Sequence, residues 1–178
     1  MRFPNSEQLV LPCVFERFVP GQLHPDGRRY LPLIVLRVAG IEAPIGVVDR
    51  HHRVDAALEG RSGSAKLVFL LSKVRLQSGE ARQGLVPEDG IAPGRASTVP
   101  TAYGRVLAVP SWEAEREHLP YEALYTELLL DIGAGVLGVR TSLTAANLAE
   151  VIGKPQIEPG DWIEVARSRV DILAFEAE

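Results

Sequence analysis

Cysteine, methionine and aromatic residues are scarce in this chain: 178 residues hold one Cys and one Met, and Phe, Trp and Tyr together make up 6%. The single thiol, Cys13, excludes an intramolecular disulfide framework and a Cys-based zinc cluster, and it fits a reducing compartment. Long apolar runs are missing as well. Nowhere do about 18 uncharged apolar residues follow one another, so no membrane contact is expected. The opening MRFPNSEQLVLPCVFERF lacks the extended apolar region of a signal peptide, and the expectation is a soluble, cytoplasmic protein.

Residues that mark catalysis are equally thin. Of the four histidines, His52 and Asp55 stand three apart on one predicted helix, but two side chains do not make a metal site, and no metal is expected. The stretch GRSGSAK over 60–66 has glycines and a lysine but not the G-x-x-x-x-G-K-[ST] spacing, and it precedes a strand where a phosphate loop opens a helix. Cys13 lies in a predicted strand, as a small buried hydrophobe does. These absences point to a non-enzymatic binding protein without a cofactor.

What the chain does contain is a pattern used twice. Residues 46–76 and 138–173 each open on Gly-Val, continue through a helix-like segment closed by Gly60 or Gly153, and end in a hydrophobic strand around Ser72-Lys73-Val74 or Ser168-Arg169-Val170. Such a repeat predicts one supersecondary unit used again. Strands are expected at 9–18, 30–38 and 45–48, then a short helix over 50–59 with Asp49 as its N-cap, then 65–77. In that last stretch Leu67, Phe69 and Leu71 share a face that Val74 and Leu76 leave, so a bulge or tight turn is expected near Ser72. The second unit repeats the plan at 103–109, 123–132 and 136–140, followed by a helix over 143–152 and a strand from Trp162. Between them, 78–100 is dense in Gly, Pro, Ser and Glu and reads as a linker.

Three strands, a helix and one long bent strand is the order of a small Greek-key barrel. In both halves it resembles the oligonucleotide/oligosaccharide-binding (OB) fold. The expected architecture is all-β: two tandem five-stranded OB-like barrels with one short helix each, over 1–78 and 101–178, joined by 79–100. The last third also resembles the TOBE/molybdate-binding barrel family. Thr141, Thr144, Leu148 and Gly160 stand where that family has a strand-ending Thr, a Ser, a Leu and a Gly-led strand. That resemblance implies a small-oxyanion site at Thr141, Ser142 and Thr144.

The net charge of −4 divides unevenly: residues 1–83 carry +4 and the remainder −8. An anionic ligand therefore suits the first half. Phe18, Arg28, Arg29, Tyr30, Arg37 and Lys73 are the candidate residues for single-stranded nucleic acid, because such binding needs rings to stack on bases and cations to meet phosphates. In the second half Trp112, Tyr121 and Tyr125 stand among Glu113, Glu115, Glu117 and Glu122, a composition that repels phosphate and suits a protein partner or self-association. Three readings stay open: nucleic-acid binding, oxyanion binding, and a structural assembly module.

Overall fold

The computed structural model describes residues 5–70, 72–110, 126–141 and 145–178. Strand β1 (Leu11–Val19) alternates strictly at its start, with Leu11, Cys13 and Phe15 buried and Pro12, Val14 and Glu16 outward. β2 (Leu33–Arg37) and β3 (Ile45–Val48) continue antiparallel to it, with Ile34 opposite Phe18 on one side and Val47 on the other. A bulge between Phe15 and Arg17 lets β1 bend around the core.

The helix expected over 50–59 is not formed as such. Asp49 accepts hydrogen bonds from the backbone N–H groups of Arg53 (2.9 Å) and Val54 (3.0 Å), folding the chain into a loop held by one buried carboxylate. His52 takes a left-handed φ of 50°, and only Ala56–Leu58 form a 3-10 helix, capped by Asp55 through the N–H of Ala57. The cap is therefore Asp55, six residues later than expected.

β4 (Ser62–Leu70) and β5 (Lys73–Leu76) meet at the register break read from the sequence. Ser72 is buried there, and its hydroxyl donates to the carbonyl oxygens of Phe69 and Arg140, both at 3.3 Å. After β6 (Gly84–Val86) come β7 (Thr101–Ala108), β8 (Thr126–Asp131), β9 (Val136–Thr141), helix α1 (Ala145–Ile152), β10 (Trp162–Ala166) and β11 (Arg169–Ala177). A second buried serine, Ser168, sits between β10 and β11.

Five strands close a barrel in the order β1-β2-β3-β11-β4, with β4 returning to β1 through the Leu11–Ala65 pair. Its interior is filled by Leu11, Phe15, Ile34, Leu67, Phe69, Val170, Ile172 and Phe175, and the rings of Phe15 and Phe175 meet edge to face at 5.6 Å. The remaining ladder leaves β4 at Val68–Leu70, which pair in parallel with Gly138–Arg140 of β9, and runs through β8, β7 and β10 to β5, with β6 added beside β7. Val68 and Leu70 point away from the barrel interior and pack with Leu9, Leu129 and Leu173. β4 is thus buried on both faces where the two ladders meet, as its unbroken apolar run requires.

Hydrogen bonding does not follow the division into 1–78 and 101–178. β5, from the first half, pairs with β10; β11, from the second half, closes the first barrel between β3 and β4. The segment 79–100 is also docked at two points, β6 and Ser97. Leu85 and Ser97 are buried, and Ser97 exchanges backbone hydrogen bonds with Pro44 and Gly46, each 2.8 Å, extending the edge of β3. Among the described residues no helix is long and apolar enough to cross a membrane.

Candidate nucleic-acid interface

Between β1 and β2 the chain makes a narrow hairpin-like excursion over 20–32. Gly21 lies so close to the returning strand that a Cβ there would fall 1.6 Å from the carbonyl oxygen of Tyr30, which leaves glycine as the only residue that fits. Tyr30 donates its N–H to Gln22 (2.9 Å), Leu23 bridges Arg29, and His24 donates its N–H to Arg28. Gly27 turns the tip at φ 84°, and Asp26 accepts from the N–H of Arg28 at 3.0 Å. The Pro-Asp-Gly signal in the sequence is therefore a turn with the chemistry expected of it.

This backbone places a Tyr30–His24 ring pair on the surface, with centroids 4.0 Å apart and planes inclined by 38°. Tyr30 is 56% exposed. Arg28 and Arg29 precede it in the chain and are exposed; Arg29 also donates to the carbonyl of Gly21 at 3.3 Å, which steadies the loop. Of the six candidate nucleic-acid residues, Arg28, Arg29 and Tyr30 share this loop because they are consecutive in the chain. Phe18 is partly buried against the barrel core and forms wall rather than platform. Arg37 pairs with Glu16 across the β1–β2 ladder (3.0 Å), which neutralises its charge. Lys73 stands apart on β5, in the other ladder.

His24 was missed by sequence reasoning, although a signal existed: it lies six positions before Tyr30 around a turn motif, so a hairpin must bring the two together. Of a second basic surface only Lys73 was among the candidates. On the outward face of β5, β10 and β7, Lys73 and Arg75 lie beside Glu164 and Ala166, while Tyr103 and Arg105 stand opposite Glu164 and Trp162. Arg75 pairs with Glu164, and the guanidinium of Arg82 stacks 3.6 Å above the ring of Tyr103.

The oxyanion candidates fare differently. Thr141 is fully buried, and its hydroxyl donates to the carbonyl oxygen of Ser72 at 3.0 Å, tying β9 to the kink after β4. Ser142 and Thr144 lie outside the described residues, as do Trp112, Tyr121 and Tyr125. Burial pushes the Cys13 thiol up to about 11, so at neutral pH it is a protonated core side chain. Among the described residues no three His, Cys, Asp or Glu side chains are grouped to hold a metal ion. Comparison with protein-family models, curated proteins and solved structures returned no significant match.

Proposed function

We propose that this is a non-enzymatic binding protein whose closed barrel holds single-stranded nucleic acid on the β1–β2 loop. The observation that carries this reading is the exposed Tyr30 ring, braced by His24 and preceded by the exposed Arg28 and Arg29 on a loop pinned by Gly21. In OB-like barrels the loop between the first two strands is a usual contact for oligonucleotides, because it projects from the end of the barrel beside the strand 2–3 face. A braced ring offers a base its π-face with little ordering cost, and two neighbouring guanidinium groups reach the phosphates on either side. The finer architectural reading goes with it: a duplicated OB-type unit whose copies have exchanged their last strands, the second copy being built on β7 to β10 together with β5. In the second half, the acidic and aromatic stretch around Trp112, Tyr121 and Tyr125 supplies a protein or self-association contact. The oxyanion alternative loses ground because the Thr141 hydroxyl is already spent on Ser72.

Fluorescence anisotropy with a labelled single-stranded oligonucleotide tests the loop. Affinity is expected to fall with salt, and replacing Arg28 and Arg29 by alanine together reduces the logarithmic salt slope by about 1.4, at about 0.7 per lost phosphate contact. Tyr30→Ala costs about 1–3 kcal/mol with the slope kept, since stacking is not ionic. Arg37→Ala, already paired to Glu16, changes the slope less than either loop arginine. Absence of any shift at about 50 mM salt, where counterion release is generous, ends the nucleic-acid reading.

A further inference from the structure

Where β10 hands over to β11, the chain passes through Arg167 at φ 53°. Left-handed backbone suits glycine, and an arginine holds it only against steric resistance. The side chain at this turn borders an open depression of about 350 Å³ at the β5–β10 edge, lined by Lys73, Arg75, Glu164, Ala166, Arg167 and, from α1, Val151. The β5–β10 register explains the hollow: Lys73 stands opposite Ala166, whose single methyl leaves space between the long cations. Arg75 is engaged through Nε by Glu164, while Lys73 and Arg167 make no ion pair among the described residues. Three cations against one carboxylate leave an excess of two positive charges in a space that side chains do not fill.

We propose that this depression is a phosphate-ester site, with Lys73, Arg75 and Arg167 gripping the phosphoryl group and Val151 meeting the organic remainder. The charge excess matches a phosphate monoester, which carries about −1.5 to −2 at neutral pH, better than a carboxylate or a diester. Two guanidinium forks and an ammonium offer more donors than a carboxylate can accept, whereas three terminal phosphoryl oxygens use them. Val151, 54% exposed on α1, gives the rim an apolar wall. The volume lies at the lower end of small-molecule sites, about 300–1,000 Å³, so the ligand is a small ester or the terminal phosphate of a longer molecule. This site is independent of the β1–β2 loop, whose residues it does not share.

Calorimetric titration of the full-length protein with phosphoserine, and anisotropy with one oligonucleotide carrying either a 5′-phosphate or a 5′-hydroxyl, separate the two sources. Saturable binding of phosphoserine assigns a small ester; a preference for the 5′-phosphorylated strand without phosphoserine binding assigns a nucleic-acid end. In either case Arg167→Gly is expected to weaken binding at least tenfold while the thermal midpoint holds or rises, because glycine adopts φ 53° freely. Lys73→Gln should weaken it on an unchanged fold, whereas Arg28→Ala, which lowers affinity for both oligonucleotides alike, should leave phosphoserine binding and the ratio of 5′-phosphate to 5′-hydroxyl affinity unchanged. The proposal is overturned if neither phosphorylated probe binds in preference to its unphosphorylated counterpart, or if Arg167→Gly and Lys73→Gln bind as the parent does. It is equally overturned if Arg28→Ala abolishes the effect, which would move the site to the loop.

Discussion

Cys13 shows how a single residue reports on packing. Its side chain lies inside the barrel on β1, and burial holds its pKa near 11, above the value of about 8.5 for an exposed thiol. A group whose folded pKa is raised binds its proton more tightly in the folded state. Its contribution to stability is therefore complete below about pH 8.5 and disappears as pH rises through 11. Urea midpoints of the protein and of Cys13→Ala should run parallel up to about pH 8.5, then converge, with the parent falling faster. Iodoacetamide should label the native thiol at pH 8 far more slowly than the urea-unfolded thiol; equal rates would mean that Cys13 is not packed. The same scale explains what was legible at the candidate site. Arg28, Arg29 and Tyr30 are consecutive and flank a Pro-Asp-Gly turn, so their clustering needed no tertiary information. That Arg37 is neutralised by Glu16 depends on which residues face each other across β1 and β2, with a bulge in between, and no local pattern encodes that register.

Among the elements, β1 was readable because its apolar residues alternate, and Ile45–Val48, buried without alternation, also falls where it was expected. The loop after β3 was not, because its controlling interaction is a side chain replacing the backbone ladder. An aspartate before a short polar stretch can cap a helix or close a loop on itself. Here Val54 decides: it is buried, and Asp49 satisfies its N–H from inside. Asp49→Ala should therefore leave the N–H groups of Arg53 and Val54 without their acceptor and destabilise the fold by about 1–3 kcal/mol. Asp55→Ala removes one exposed cap on a single 3-10 turn and should cost less, about 0.5–1 kcal/mol. Chemical denaturation of the two variants checks the order; a larger loss at Asp55 would mean that the 3-10 helix, and not the Asp49 loop, organises this connection.

At the scale of the whole molecule, the period break at Ser72 and the matching Ser168-Arg169-Val170 pattern were visible, but their meaning was not. A break says that a strand changes course, and it is silent on whether the next segment rejoins its own half or crosses to the other. Both segments cross: β5 joins β10, and β11 closes the barrel of β1 to β4. The same crossing means that charge counted along the chain does not map onto charge on the sheet, since Lys73 and Arg75 come from the first half and stand beside Arg105 and Arg167 of the second. The energetic consequence is large. β11 buries Val170, Ile172, Leu173 and Phe175, and at about 1.5–3 kcal/mol for each apolar side chain its removal forfeits about 6–12 kcal/mol. That equals the whole stability of a typical domain, about 5–15 kcal/mol. Residues 1–100 expressed alone should therefore lack dispersed amide resonances, although they hold four of the five strands of the closed barrel. Residues 101–178 alone should fare no better without β4 and β5. Mixed at equal concentration, the two fragments should recover the native spectrum, because each carries the strand that the other lacks. In the intact chain, far-UV circular dichroism and tryptophan fluorescence of a Trp112→Phe variant, which reports Trp162 on β10, should show one coincident unfolding transition. Cooperative unfolding of residues 1–100 by themselves, or two separated transitions in the full chain, would show that the halves fold independently and that the exchanged strands are an embellishment.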